Sequence, residues 1–512
     1  MRKIIFFLFI PFLLNAQDGA HRYFISFNNK LNTNFSLNQP EDYLSEKAIS
    51  KRIQFEIPID SLDLPVSNYY LDKISLHGFS VENKSKWLNG VIVSTYDSLL
   101  IESVNYSFID SIIYFGSWSN NSKMDNKWDK FKNIYDFGFS ENQLKMLGGD
   151  LLHSYGYKGS GIVIAVIDAG FYNVDKLDAF NDLRNQILSS YDFVDGNIDV
   201  FNDHTHGTLV LSTMGGYGDF VGSAPNAEYI LLRSEDVFSE NLIEEYLWVC
   251  AAEFADSSGA DIINSSLGYT TFDNEIQNHT YEDMDGETTP VSVGAGIASK
   301  KGIIVINSAG NSGDNDWYYI SAPADNIDVI TVGAVNSEKK HADFSSFGPN
   351  ADGFIKPNVM AQGEGTFVIN SENQLVTANG TSFSAPLISG MTACLWGGNK
   401  NSTSKHIKQA IFSSADRYND PNNIYGFGIP HYYSAHQRLN YDFTIPVNIS
   451  LNGDVNFFIF NIEGKLINSG ILYFSNTTNY EVKIYKPKEP GFYLINLVGA
   501  NFNLSKKFIV AD

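Results

Sequence analysis

Residues 161–168 read Gly-Ile-Val-Ile-Ala-Val-Ile-Asp, and this stretch constrains the fold most. The apolar run from Ile162 to Ile167 is rich in β-branched residues and has no polar alternation. A strand of that kind has to be covered on both faces, which is the situation of a parallel strand between two helical layers. The run ends in Asp168, followed by Ala169-Gly170. Open α/β folds gather their chemistry at the carboxyl ends of such strands. Taken alone, Asp168 is equally a loop or capping acid.

A second segment, Gly380-Thr381-Ser382-Phe383-Ser384-Ala385-Pro386, opens a run of small and apolar residues: Leu387, Ile388, Gly390, Met391 and Ala393. A helix apolar all round belongs inside a protein. Gly380 permits a tight approach, and Pro386 suits an early helical turn. Ser382 then sits near the positive end of the helix dipole, as an N-cap or as a nucleophile. His206 lies in Asp203-His204-Thr205-His206-Gly207-Thr208 and would open a further apolar helix. His204 and His206 are two residues apart, so their rings do not share a helical face and do not read as a paired metal site.

Asp168, His206 and Ser382 follow one another in one of the three chain orders known for the acid–base–nucleophile triad. With these motifs together, roughly residues 140–438 resemble the subtilisin-like serine peptidases. The resemblance implies an α/β fold, a three-layer domain with a mostly parallel sheet. It implies Ser382 as nucleophile, His206 as general base and Asp168 as the group that orients the imidazole. Ser308-Ala309-Gly310-Asn311 resembles the oxyanion-hole segment, with Asn311 as donor. Asn264-Ser265-Ser266-Leu267-Gly268 resembles the strand that pairs with substrate. Ser266, Leu267, Gly268, Ser308, Ala309 and Gly310 would line the P1 pocket, none of them charged, which favours apolar or broad P1 residues.

The chain departs from the family in two places. The loop between Thr208 and Pro225 is shorter than the calcium-binding loop of bacterial subtilisins, so no metal or other cofactor is expected there. Residues 269–290 look like an insertion after the substrate strand. They include Glu282, Asp283, Asp285, Gly286 and Glu287, acids around a glycine that can bind calcium; the run lacks a full ligand loop, which favours a solvated acidic loop.

A chain of 512 residues holds several domains. Arg2-Lys3, an apolar run from Ile4 to Leu14 and Asn15-Ala16 form a signal peptide over 1–16, too short for a membrane span. No later segment reaches the length of a transmembrane helix. The net charge of −23 excludes nucleic-acid binding by bulk attraction. Residues 17–120 show a β-α-β-β-α-β pattern: strands in 22–27, 78–82, 90–95 and 109–115, and helices over 41–54 and 97–105. That order suits a ferredoxin-like sandwich, the shape of the propeptide that inhibits and helps fold secreted subtilisin-like enzymes. A linker and processing region follows over 121–140, then a peptidase domain over 141–440.

Residues 443–512 form a β-rich unit with a glycine-containing hairpin around Phe460 and Gly464. It resembles the small β-sandwich sorting domain of the type IX secretion pathway; a generic binding module has the same pattern. The expected partners are protein or peptide substrates, the chain's own propeptide as inhibitor, and the secretion machinery. The expected destination is the medium or cell surface of a Gram-negative bacterium, by way of the periplasm. The rival functions are a catalytically silent surface protein that keeps the fold, and an esterase with the same triad logic. Cys250 and Cys394 fall in apolar helical stretches, as buried thiols do, though an exported chain also permits their pairing.

Overall fold

The computed structural model describes residues 19–118, 132–133, 139–439, 443–447, 451–477, 480–484, 491–499 and 502–510. The signal peptide expected over 1–16 and most of the 121–140 linker lie outside the described residues.

The N-terminal unit is built on a period of two. In β1 (Ala20–Phe27), Tyr23, Ile25 and Phe27 enter the unit's own core while Phe24 turns to the opposite face. α1 (Glu46–Gln54) begins at Ser45, whose hydroxyl accepts the Ala48 N–H at 3.2 Å. α2 (Asn68–Leu76) adds Tyr70, Leu71 and Ile74 to the core. β2 (Ser80–Ser85), β3 (Gly90–Thr95) and β4 (Ile109–Trp118) complete an antiparallel sheet of order β2-β3-β1-β4.

The helices differ from the sequence reading. The segment 41–54 divides into a 3-10 turn, Pro40–Asp42, and α1. The helix read over 97–105 is only the 3-10 turn Leu100–Ser103. The reason is that α2 already covers that face of the sheet, leaving Leu100 and Ile101 at the margin of the core. The second strand is shifted to Ser80–Ser85, and the last runs on to Trp118.

A two-residue strand, β5 (Lys132–Asn133), and two short helices, α3 (Glu141–Lys145) and α4 (Gly149–Ser154), precede the buried run. That run is β6 (Val163–Asp168), buried at every position. There follow α5 (Asn181–Arg184), β7 (Ile187–Asp192), α6 (His206–Gly215), β8 (Glu228–Arg233), α7 (Ile243–Ser258) and β9 (Ile262–Ser265). Next come α8 (Pro290–Lys300), β10 (Ile304–Ser308), β11 (Ile330–Val335) and β12 (Val359–Gln362). β13 (Thr366–Ile369) and β14 (Leu375–Ala378) form a hairpin with β5 along its edge. α9 (Thr381–Gly397), α10 (Ser404–Ser414) and α11 (Tyr432–Leu439) close the domain.

The seven-stranded sheet has the order β12-β11-β10-β9-β6-β8-β7, with every pairing parallel. β6 shows why its run had to be continuous. Ile164 and Val166 join the core shared with α6 and α9, while Val163, Ala165 and Ile167 join the core shared with α7 and α8. The two cysteines divide the same way, Cys394 on α9 and Cys250 on α7. The sheet lies between them, and both are free buried thiols.

α7 also carries the N-terminal unit. Phe24 and Phe115 pack on Tyr246, with ring centroids 4.6 and 5.1 Å apart. Further along α7 the contact is a buried ion pair: Arg52 is paired with Asp63 at 2.6 Å and with Asp256 of α7 at 2.8 Å. In the C-terminal region, β15 (Phe443–Val447) pairs with β18 (Tyr480–Ile484). β16 (Leu451–Asn461), β17 (Leu466–Thr477), β19 (Gly491–Gly499) and β20 (Phe502–Val510) form a sheet of order β17-β16-β19-β20. Among the described residues no helix is long and apolar enough to cross a membrane.

Candidate active site

The sheet's strand order reverses around β6, so the carboxyl ends of β8, β6 and β9 border one crevice. Asp168 ends β6 there, fully buried. Its Oδ1 accepts the Ala169 N–H at 2.8 Å and lies 2.7 Å from His206 Nδ1. His206 is the first residue of α6 and is 1% exposed. Gly207 makes the approach possible: a Cβ there would stand 2.4 Å from the Gly170 carbonyl oxygen and 2.9 Å from the Phe171 ring. The Thr208 hydroxyl donates to Tyr172 O at 2.9 Å, which ties the start of α6 to the loop after β6. His204 acts locally, its Nδ1 accepting the backbone N–H of His206 at 3.2 Å.

Ser382 is the second residue of α9 and is 2% exposed. Pro386 has no N–H, so in the α9 ladder the carbonyl of Ser382 lacks its usual donor four residues on. The Ser266 hydroxyl takes that place, donating to Ser382 O at 3.0 Å. In return the Ser382 hydroxyl donates to Ser266 O at 3.4 Å. The His206 ring lies 6.2 Å, centroid to centroid, from that of Phe383, the neighbour of Ser382.

Asn311 follows β10 after Ala309 and Gly310. Its Oδ1 accepts both the N–H and the hydroxyl of Thr381, at 2.8 and 2.9 Å. Those two donors fix the amide's orientation. The other end, Nδ2, therefore points toward Gly380, whose missing Cβ would stand 3.7 Å from it. Gly380 has φ +152°, a backbone other residues rarely adopt.

Ser266, Leu267 and Gly268 extend from β9, and Ser308, Ala309 and Gly310 from β10, its parallel neighbour. Asn307 joins the two strand ends, its Nδ2 donating to Leu267 O at 2.9 Å and Ser308 O at 2.8 Å. Behind the glycines stands Ser321: a Cβ on Gly268 would meet its Oγ at 2.2 Å, and one on Gly310 at 3.3 Å. Sequence reasoning missed Asn307 and Ser321, which no local motif marks.

It also missed Arg233. This residue pairs with Asp168 across the sheet register and lies 2.7 Å from Asp192, 2.9 Å from Asp195 and 3.2 Å from Asp203. The three carboxylates converge closely enough for a cation, and the guanidinium lies among them. Burial pushes the Asp203 carboxyl up, against the pull of Arg233. Asp203 directly precedes His204, so this ion cluster anchors the chain leading into α6. In the 269–290 loop, Asp283 accepts the N–H and hydroxyl of Thr280, at 2.7 and 3.0 Å. Asp285 accepts the N–H groups of Glu287 and Thr288, both at 2.7 Å. These two acids brace turns of their own loop.

Comparison with known proteins gives three family matches. Residues 159–428 match the subtilase family, 22–130 the peptidase S8 propeptide domain of Bacteroidota, and 444–511 a secretion system C-terminal sorting domain. The thermophilic serine proteinase of Bacillus sp. (strain AK1) is 30% identical over 280 residues, which are 54% of this chain and 62% of that protein. The serine protease AprX of Bacillus subtilis (strain 168) is 29% identical over 303 residues, 53% and 65% of the two chains. The chain thus spans just under two thirds of the length of either relative. Among solved structures, the epidermin leader peptide processing serine protease of Staphylococcus aureus shares the fold. It superposes with a TM-score of 0.57 over 81% of this chain and 99% of that one, at 18% identity.

Proposed function

Since the chain belongs to the subtilase family, we propose that it is a secreted serine endopeptidase working through Asp168, His206 and Ser382. The observation that carries this reading is the buried 2.7 Å contact between Asp168 and His206 at the mouth of α9, with Asn311 oriented by the residue next to Ser382. A serine hydroxyl is a weak nucleophile at neutral pH and needs a base to take its proton. With Nδ1–H donated to Asp168, His206 holds its lone pair on Nε2 and can accept that proton. Ser382 Oγ then forms the acyl-enzyme, and the imidazolium returns its proton to the leaving amine. Asn311 Nδ2 and the Ser382 N–H stabilise the oxyanion, a charge that develops only near the transition state.

The N-terminal unit, residues 17–120, acts as inhibitor and folding aid until the chain is cut within 121–140. The peptidase domain is residues 141–440. The unit over 443–512 is read by the secretion machinery, so the enzyme crosses the periplasm and reaches the medium or cell surface of a Bacteroidota host. Protein or peptide substrates enter between 266–268 and 308–310, where apolar or varied P1 side chains fit. A fluorophosphonate probe tests the reading: it should label the matured wild type and leave Ser382→Ala unlabelled. Loss of the nucleophile costs about 10⁶ in kcat in subtilisin, a member of the same family. An unlabelled wild type would favour a surface protein that has kept the fold without turnover.

A further inference from the structure

The inserted segment 269–290 takes no part in the chemistry above, yet it is held firmly. The Asp273 N–H donates to Glu240 O at 2.8 Å, and the Asp273 carboxylate accepts the Glu240 N–H at 3.2 Å. His279 bonds Glu245 of α7. The Tyr281 hydroxyl donates to the carbonyls of Pro349 and Asn350, both at 3.1 Å. From this base the Gln277 side chain reaches the N-terminal unit, its Nε2 donating to Tyr114 O at 3.1 Å and Phe115 O at 3.5 Å.

Both carbonyls belong to β4, an edge strand that among the described residues pairs with β1 alone. The outer edge of such a strand lacks ladder partners, and the Gln277 amide supplies one there. The Phe115 ring is meanwhile held edge-on against Tyr246 of α7. Side-chain amide and ring together fix β4 along its own axis. Three residues past Phe115 the strand ends at Trp118, and the chain continues into the processing segment.

We infer that Gln277 is a positioning residue for the first turnover, setting the register in which the chain leaves β4 and hence which peptide bond reaches Ser382. The inference rests on the peptidase reading above. An extended chain advances about 3.3 Å per residue, so a slip of one residue presents a different bond. Without the amide, the exit end of β4 loses a fixed point beside the register shift at Phe115, and the chain leaving it settles in neighbouring positions.

Maturation of the full chain tests this with Gln277→Ala and Gln277→Glu, the second setting a carboxylate against two carbonyl oxygens. The wild type should give one mature N-terminus by intact mass and N-terminal sequencing. Each variant should give two or more adjacent ones, and Gln277→Glu should mature about tenfold more slowly, the worth of one or two hydrogen bonds. Hydrolysis of a short chromogenic peptide by the matured variants should match wild type. A single wild-type terminus at wild-type rate in both variants overturns the inference. Amide hydrogen exchange in the Ser382→Ala background tests the clamp without turnover: Gln277→Ala should speed exchange over 109–118 and leave 80–95 unchanged. Unaltered exchange there also overturns it. Cleavage of Ser382→Ala at the wild-type site would sink the peptidase reading instead, and the exchange result would still decide the clamp.

Discussion

Glu253 is the point on α7 where the N-terminal unit is most exposed to a single substitution. Its carboxylate, 6% exposed, accepts the Ser85 hydroxyl at 2.6 Å, the Lys86 N–H at 2.8 Å and the Trp87 N–H at 2.9 Å. The donors are the last residue of β2 and the first two residues of the turn into β3. Glu253→Ala removes every acceptor at once. The Ser85 hydroxyl stays ordered because it accepts the Leu88 N–H at 3.0 Å, but the two backbone donors remain buried and unpaired. Each such donor costs about 1–3 kcal/mol, so the pair costs about 3 kcal/mol once some water enters the gap left by the side chain. At 1.4 kcal/mol per decade, that is about a 10²-fold rise in the inhibition constant of residues 17–120 added to the matured enzyme. The N-terminal unit has a core of its own around Tyr23, Ile25 and Ile74, so it can be made separately. The assay is inhibition of short-peptide hydrolysis, titrated with this unit. Hydrolysis without inhibitor should be unchanged, because Glu253 touches none of the residues around Ser382. A rise of less than threefold would refute the reasoning, since the three bonds would then contribute nothing net to docking.

The two histidines before α6 should separate cleanly in a peptidase assay. His206→Ala should abolish activity as Ser382→Ala should, whereas His204→Ala should lower thermal stability by about 1 kcal/mol, the loss of one hydrogen bond to the first N–H of α6, and keep most activity. Asn311→Ala should lower kcat by about 10²–10³ with little change in KM, a range taken from the corresponding donor in subtilisin, and an unchanged kcat would remove Asn311 from the site. Burial alone would lower the His279 pKa, but its bond to Glu245 and the charges of Asp283 and Asp325 carry it above the ordinary 6.5. The ion pair therefore stabilises the 269–290 loop fully below about pH 6.5 and loses that effect as pH rises through the higher folded value. Hydrogen exchange in the loop should quicken with pH beyond the intrinsic rate in wild type and not in His279→Gln.

What the sequence made legible was local and periodic. The unbroken run of β6 demanded two covering layers and has them, and α9 is as buried as its composition required. The places of Asp168 at the end of β6, His206 at the start of α6 and Ser382 at the start of α9 were legible because each stands within a short motif at an element boundary. The 97–105 segment fails as a helix for a tertiary reason. Its apolar spacing is adequate, but α2 takes the face it needs, and α2 itself, over 68–76, is absent from the sequence reading. Arg233, Asn307 and Ser321 were invisible for another reason. Their partners lie tens of residues away and meet only once the parallel strands align; Arg233 and Asp203 are an example. A lone arginine at the end of an apolar strand carries no mark of the three acids it gathers.

Pro386 and Ser266 sit 120 positions apart, and the fold makes a substitution at one depend on the other. Proline costs the Ser382 carbonyl its donor, and the Ser266 hydroxyl restores one. Ser266→Ala strands that carbonyl; Pro386→Ala returns an N–H and makes the hydroxyl redundant. The tolerable evolutionary path therefore takes Pro386→Ala first and Ser266→Ala second, and the reverse order crosses a valley. Drift at position 266 is thus governed by a proline one turn further into α9 than Ser382.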